Sequence, residues 1–313
     1  MILRHVATRL RDLFRAPAPP PVSVAQRAAA LEQRVLAFVG NLRPMPDVAA
    51  RALALARDPD SRFADFVRLV EADPAIAATV LRVANSALFA GGAQTLKLAQ
   101  AVTRLGMWQC QNLIVAVALR GAFRGSDPGT REVCETLWHH GYVTAALCQQ
   151  INRGCRLGFQ GEEFAAGLLH DLGRLLLALA DPESFALVGG LGFAEDPGVV
   201  PRERAAIGVD HGLLGGWFAE FSDLPAALAA TVRAHHAADL TGPDRRLTAL
   251  VAAADAAANH YQRGEPVAGF DPAASTEFAA LSLGWHPGRR DRLFDAVPDM
   301  LAQAAAAAQQ ANG

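Results

Sequence analysis

The chain has 313 residues, of which 51% are hydrophobic and 19% charged, and its formal net charge is −2. This composition is typical of a globular protein and excludes wholesale disorder, and the length favours two domains over one. Because the sequence pI is near 6.5, there is no overall basic field to attract nucleic acid, and we predict no nucleic-acid partner.

The residue types favour helices over sheets. Alanine dominates the apolar share, whereas β-branched and aromatic residues are comparatively sparse. No stretch of useful length alternates apolar and polar residues as a half-buried strand does. We therefore predict an all-α protein, with a helical N-terminal lobe followed by a second helical bundle.

Several features bear on the compartment. No apolar run approaches the roughly 18–20 residues that a membrane-spanning helix needs, and the N-terminus lacks the apolar core of a secretory signal. The four cysteines (Cys110, Cys134, Cys148 and Cys155) form no C-x-x-C pair, which argues against a zinc ribbon, a redox motif or a disulfide framework. Free thiols suit a reducing environment, so we predict a cytoplasmic protein.

Residues 1–22 combine a basic segment with a proline-rich one. Apolar residues recur at helical spacing among arginines over 1–15: Leu3, Arg4, Val6, Arg9, Leu10, Arg11, Leu13 and Arg15. A basic amphipathic helix of this kind can rest on an anionic membrane surface or dock on a partner, and it can equally be an ordinary packed terminal helix. The following APAPPPV (16–22) predicts an extended, stiff linker.

The remaining chain divides at GSDPG (125–129), whose turn-forming residues are typical of a linker. Residues 25–125 predict a lobe of five or six short helices interrupted by prolines, without an evident catalytic motif. Residues 130–262 predict a second helical lobe, and 265–313 a C-terminal helical extension with two further helices.

The second lobe carries seven residues of the types that bind metals: His140, His170, Asp171, His211, His235, His236 and Asp255. They fall on five predicted helices, over 131–151, 162–180, 202–221, 226–237 and 247–260. Imidazoles and carboxylates hold iron, manganese or zinc in hydrolytic sites, and side chains from facing helices can converge in a bundle core. Two metals could clamp a phosphate ester there and activate water. The alternative is a buried polar network that no longer binds metal.

The order of these residues resembles a known superfamily. LLHDLGRLLL (168–177) resembles the His-Asp helix of the HD phosphohydrolases, and the whole set resembles the HD-GYP branch. The HDOD family, an HD-related output domain of bacterial signalling proteins, is a closer match. Segments similar to it are LRPMP (42–46), EADPAIAATVLRVANSALF (71–89), QAVTRLGMWQCQNLIVAVAL (100–119), LWHH (137–140), GLLHDLG (167–173) and VDHGLLG (209–215).

This resemblance implies an HD-domain-like bundle for the second lobe. It also implies that the candidate ligands are shared between two metal positions. His140, His170, Asp171 and Asp255 match the positions that hold one metal, and His211, His235 and His236 those that complete a second. Thr136 stands where the three-metal version has a glutamate, so we expect at most two divalent ions (Fe, Mn or Zn). Glu203 is either a partner of a ligand imidazole or an exposed helix charge, whereas His139 is not expected to be a ligand.

Two functions from different classes remain open. HDOD proteins are viewed mostly as regulatory modules, which implies a signal-transduction protein that acts through protein–protein contacts, with metal or nucleotide in the HD pocket as a modulator. The alternative is a metal-dependent phosphohydrolase acting on nucleotides or cyclic dinucleotides. In that case Asp171 would bridge the metals and Arg174, which replaces the lysine of active relatives, would hold the phosphate.

Overall fold

A computed structural model provides the structure of the protein. It describes residues 23–42, 51, 55, 62–85, 94–123, 125–193, 198–237 and 240–312. The predicted basic helix and linker (1–22) lie outside these residues, as does most of the LRPMP segment (42–46). The described residues form helices and no strand, which confirms the all-α prediction.

The described residues of the first part of the chain include five continuous helices. They are α1 (Val24–Asn41), α2 (Phe63–Glu71), α3 (Pro74–Asn85), α4 (Leu98–Leu105) and α5 (Met107–Ala122). Helices α2 to α5 enclose a small apolar core that includes Phe66, Val80 and Ile114. Short connections between amphipathic helices bring these apolar faces together, as the sequence pattern predicts.

In the second part, ten α-helices lie within the described residues. They are α6 (Pro128–Cys155), α7 (Glu162–Leu169), α8 (Leu172–Ala180), α9 (Pro182–Leu187), α10 (Val199–Ile207), α11 (His211–Phe221), α12 (Ala226–Ala234), α13 (Arg245–Gln262), α14 (Thr276–Leu281) and α15 (Pro287–Asn312). The long helix α6 begins at an Asp127 N-cap, whose side chain accepts a hydrogen bond from the Thr130 amide. This helix contributes to two separate cores and so forms the centre of the lobe.

Helix α1 packs on the second lobe, although we placed its residues in the first. Leu31, Val35 and Val39 share an apolar core with α6, α8, α10 and α11. The guanidinium of Arg34 also forms an ion pair with the buried carboxylate of Asp181, 2.5 Å away. The apolar stripe of α1 therefore covers the second lobe, and the division of the chain at residues 125–129 stays a prediction.

The C-terminal residues are an integral part of the second lobe. Leu293, Val297 and Leu301 of α15 are buried in the core formed by α6, α7 and α13. The side chain of Gln150 donates a hydrogen bond to the carbonyl of Met300. The segment predicted as an extension thus completes this core. None of the described helices combines the length and apolar character needed to cross a bilayer.

Three of the five predicted helices that carry candidate ligands are divided or end earlier than expected, whereas α6 and α13 extend beyond their predicted ranges. The helix predicted over 162–180 is divided into α7 and α8, with His170 and Asp171 at the junction. The helix predicted over 202–221 is divided at Gly208, which adopts φ +83° and ends α10. Helix α12 ends at Ala234, just before His235. Five of the seven candidates therefore lie at helix ends.

Candidate metal centre

All seven candidate residues converge in the second lobe. His140 comes from the middle of α6 and Asp255 from α13, while the other five come from the helix ends described above. Their ligand atoms form three overlapping groups, in each of which every atom lies within 4.8 Å of the others. Six of the seven side chains are buried, and His236 is the exposed member.

Asp171 lies between the two halves of this cluster. Its Oδ2 is 3.8 Å from Nε2 of both His140 and His170. Its Oδ1 is 3.5 Å from Nε2 of His211 and 4.0 Å from Nε2 of His235. Each carboxylate oxygen therefore faces a different set of imidazoles, which is the arrangement that a bridging ligand requires.

Three imidazoles are oriented by hydrogen bonds on the side away from the cluster. Nδ1 of His170 donates to the Gly167 carbonyl (2.7 Å), and Nδ1 of His235 donates to the Val232 carbonyl (2.8 Å). Nδ1 of His211 donates to the carboxylate of Glu203, which also accepts from the His211 amide. Such partners fix the tautomer of a metal ligand, so Nε2 of each neutral ring offers a lone pair to the cluster.

Two close contacts among the ligand atoms indicate that a metal fits the residues present. Nε2 of His211 and Nε2 of His235 are only 3.2 Å apart, and two lone pairs at that distance repel unless a proton or cation lies between them. Nε2 of His170 is buried and makes no hydrogen bond, although Asp255 Oδ1 is 3.2 Å away. The donor set of imidazoles and carboxylates fits a divalent transition metal.

Arg174 lies beside the cluster and contacts groups of the protein itself. Its guanidinium donates to Asp171 Oδ2 (3.1 Å) and to the Gly190 carbonyl, and lies 4.9 Å from the ring centre of Phe193. It borders a cavity of about 240 Å³, which is also lined by Asp171, His211, His236 and Asp255. In this conformation Arg174 holds the protein's own groups beside the cavity.

The family of this chain follows from its similarity to known proteins. Residues 42–238 match the HDOD domain. The chain belongs to the HDOD domain family. A protein of Treponema pallidum (strain Nichols) with no assigned function is 22% identical over 237 residues, covering 75% of this chain and 45% of the relative. The HDOD chain thus spans less than half the length of that curated relative.

Solved structures share the HDOD fold at low sequence identity. An HDOD domain protein of unknown function from Geobacter sulfurreducens is 21% identical, with a TM-score of 0.64 and coverage of 88% of this chain and 97% of that one. A proposed signal transduction protein from Marinobacter aquaeolei VT8 is 23% identical with a TM-score of 0.65, and the match covers 94% of this chain and 68% of that one. A proposed metal-dependent phosphohydrolase from Shewanella amazonensis SB2B is 22% identical with a TM-score of 0.64, and the match covers 91% of this chain and 99% of that one.

Two further residues of the HDOD chain contribute to the site. Nδ2 of Asn259 donates to Asp255 Oδ1 (2.9 Å), one helical turn away, and this i, i+4 spacing was visible in the sequence. The ring of Phe193 lies 4.9 Å from the His140 ring. Phe193 belongs to a connecting segment and has φ +45°, so no helical periodicity could place it.

The charges in the cluster determine which groups carry protons. Burial opposes protonation of His170, but the carboxylates of Asp171 and Asp255 outweigh it and raise its pKa to about 9. Against the same burial, the Glu203 carboxylate raises the pKa of His211. Burial and neighbouring imidazoles lower the pKa of His235 well below its usual value. Without metal, His170 therefore carries a proton near neutral pH, and His211 holds a proton more readily than a free imidazole does.

This distribution predicts a pH dependence for metal binding. Since His170 must lose its proton to become a ligand, the apparent metal affinity should rise about tenfold per pH unit for each proton released, between pH 6.5 and about 9. The contribution of protonated His170 to the stability of the metal-free protein falls as pH rises. It is fully present below pH 6.5 and is lost as pH rises through about 9. Chelator competition at several pH values measures the slope, and a flat profile would contradict it.

Proposed function

We propose that this HDOD protein is a signal-transduction module whose cluster holds two divalent metal ions and whose output is contact with a partner protein. The position of Asp171 carries the metal part of the proposal, since its two oxygens face two separate imidazole sets. His140, His170 and Asp255 would complete one subsite, and His211, His235 and His236 the other. The name of the Marinobacter relative supports the signalling part.

The donor set suits iron, manganese or zinc. Bound there, such ions would supply Lewis acidity and a water of lowered pKa. The chain's own residues have separable tasks around them. Glu203 fixes the ring of His211 through Nδ1, and Asn259 holds the carboxylate of Asp255. Because both contacts lie behind the ligands, they orient the site without occupying it.

Two features favour a regulatory role over turnover. The guanidinium of Arg174 already donates to Asp171 and to the Gly190 carbonyl, so it would have to give up a contact to bind a phosphate. The adjoining cavity of about 240 Å³ is also smaller than the pockets of roughly 300–1,000 Å³ that enclose drug-sized ligands. This volume favours a compact phosphate-bearing ligand over a cyclic dinucleotide. We propose such a ligand, or the metals alone, as the modulator.

The second candidate function is a metal-dependent phosphohydrolase acting on nucleotides. It is supported by the complete ligand set and by the name of the Shewanella relative. In that function Asp171 would bridge the metals, and Arg174 would have to exchange the Gly190 carbonyl for the substrate phosphate. Its planar, forked guanidinium could then bind two phosphate oxygens at once.

Metal content separates these proposals from a cluster that binds nothing. We expect protein purified without chelator to contain near-stoichiometric iron, manganese or zinc by mass spectrometry, and the His170→Ala variant to lose it. His139→Ala is the matched control, because His139 neighbours His140 in sequence but its ring lies beside Tyr261. Wild-type protein without metal would refute the metal proposal. Nucleotide hydrolysis abolished by His170→Ala would establish the phosphohydrolase instead.

A further inference from the structure

A patch of arginines lies at the carboxyl end of α6, away from the metal cluster. Arg153 and Arg156 are exposed on the turn that ends this helix. Arg289 from α15 and Arg246 from α13 reach the same turn. Arg289 donates to the Cys155 carbonyl (2.6 Å), and Arg246 donates to the Leu157 carbonyl (3.1 Å).

A fifth arginine joins this patch. The exposed Arg292 is close enough to Cys155 to affect its thiol electrostatically. Arg246 and Arg289 have a structural explanation, because cations stabilise the carbonyl-rich end of a helix. Arg156 and Arg292 have none, since neither forms a side-chain hydrogen bond or an ion pair with any described residue. The patch therefore holds cationic charge that the described part of the chain does not neutralise.

Apolar side chains border the same patch. The ring of the partly buried Trp285 lies 4.0 Å from the guanidinium carbon of Arg289. Leu283, two residues earlier in the chain, is 84% exposed. Arginine and tryptophan are enriched in the energetically dominant parts of protein interfaces. The exposed Leu283, two residues from Trp285 in the chain, offers a contact for an apolar side chain.

We propose that the arginine patch (Arg153, Arg156, Arg246, Arg289 and Arg292) docks an acidic segment of a partner protein, with Leu283 and Trp285 contacting an apolar side chain of that segment. The proposal rests on the proposed function, because it names the chemistry of the partner through which the module would act. Charge complementarity selects the acidic segment and would also accelerate its association.

The observations favour a protein over a nucleic acid. The net charge of −2 gives no general attraction for a polyanion. Binding of single strands depends on aromatic faces that stack on bases. Here Trp285 has a guanidinium at 4.0 Å and Phe159 has that of Arg246 at 5.9 Å, so one face of each ring is already covered. The exposed Leu283 has no use in a contact with phosphates.

Fluorescence anisotropy with full-length protein tests the docking surface. The probe is a labelled glutamate-rich peptide with leucine at every fourth position. We expect Arg156→Glu combined with Arg292→Glu to weaken its binding at least about tenfold. The control combines Arg62→Glu and Arg120→Glu, two exposed arginines of the first lobe, and should change binding less than about twofold. Leu283→Ala should weaken binding even though no charge changes.

Competing ligands and metal content complete the test. A lysine-rich version of the peptide, an oligothymidylate and phosphatidylglycerol vesicles should bind more weakly than the acidic peptide. Tighter binding of the oligonucleotide or vesicles, equal losses in both double variants, or no binding of the acidic peptide to wild type would overturn the proposal. No patch arginine lines the cavity, so both variants should retain wild-type metal content. If wild-type protein purified without chelator contains no metal but still binds the acidic peptide, the metal proposal is refuted and the docking proposal stands.

Discussion

Replacing Gly173 with alanine is expected to destabilise the protein by about 3 kcal/mol or more and to remove His211 from the metal cluster. A Cβ at this position would lie 1.8 Å from the backbone oxygen of His211 and 2.7 Å from its carbonyl carbon. These are backbone atoms, so no rotamer change relieves the overlap. Helix α8 would have to move away from α11, and a shift near 1 Å is enough to impair a ligand set.

Urea denaturation in the presence of chelator measures the first effect, and metal content measures the second. Gly121→Ala is the matched control, because Gly121 lies in helix α5 and a Cβ added there would meet no atom within 4 Å. That substitution should be neutral or stabilise by up to about 1 kcal/mol. If the two variants were equally stable, close contact between α8 and α11 would not explain the glycine.

The sequence was sufficient to predict the helical class, the family and the convergence of the seven ligand-type residues. Their order along the chain carries that information, because it matches a pattern in which separate helices meet. The sequence did not predict that His170-Asp171, His211 and His235-His236 lie at helix ends. Apolar periodicity continues across the α7–α8 junction, so the pattern alone favours one long helix.

The position of helix α1 could not be predicted from local pattern either. Its apolar stripe of Leu31, Val35 and Val39 fits either lobe equally well. What determines its position is long-range: burial against the second lobe and the ion pair between Arg34 and Asp181, 147 residues apart. The contacts of Arg174 with the Gly190 carbonyl and Phe193 could not be predicted from local pattern either, because they depend on the course of a connecting segment.

Helix α1 therefore connects the start of the described chain to the candidate site. It packs on α8, which begins with the residues after Asp171, and on α10, which carries Glu203. A displacement of α1 would act on a bridging carboxylate through one helix and on the partner of His211 through the other. In the proposed function, this would be a physical route between the surface of the protein and the candidate metal centre, through packed elements.

Replacing Asp255 with asparagine is expected to abolish metal binding at the first subsite and to destabilise the metal-free protein by about 3 kcal/mol at pH 6.5. The Oδ1 atom of Asp255 accepts from His140 Nε2 at 3.0 Å and lies 3.2 Å from His170 Nε2. The amide keeps the shape of the side chain but removes the charge that helps to raise the pKa of His170 to about 9. Protonated His170 would then lack half of its counter-charge.

The pH dependence of that loss separates charge from packing. In wild type the contribution of protonated His170 is complete below pH 6.5 and disappears as pH rises through about 9. The difference between wild type and Asp255→Asn should therefore be largest at the acidic end and shrink towards pH 9, as urea denaturation with chelator would show. Asp244→Asn is the control on the same helix, because Asp244 makes no side-chain capping bond. If the loss of stability were equal at acidic pH and near pH 9, Asp255 would stabilise the protein by packing. Its charge would then not account for the protonation of His170.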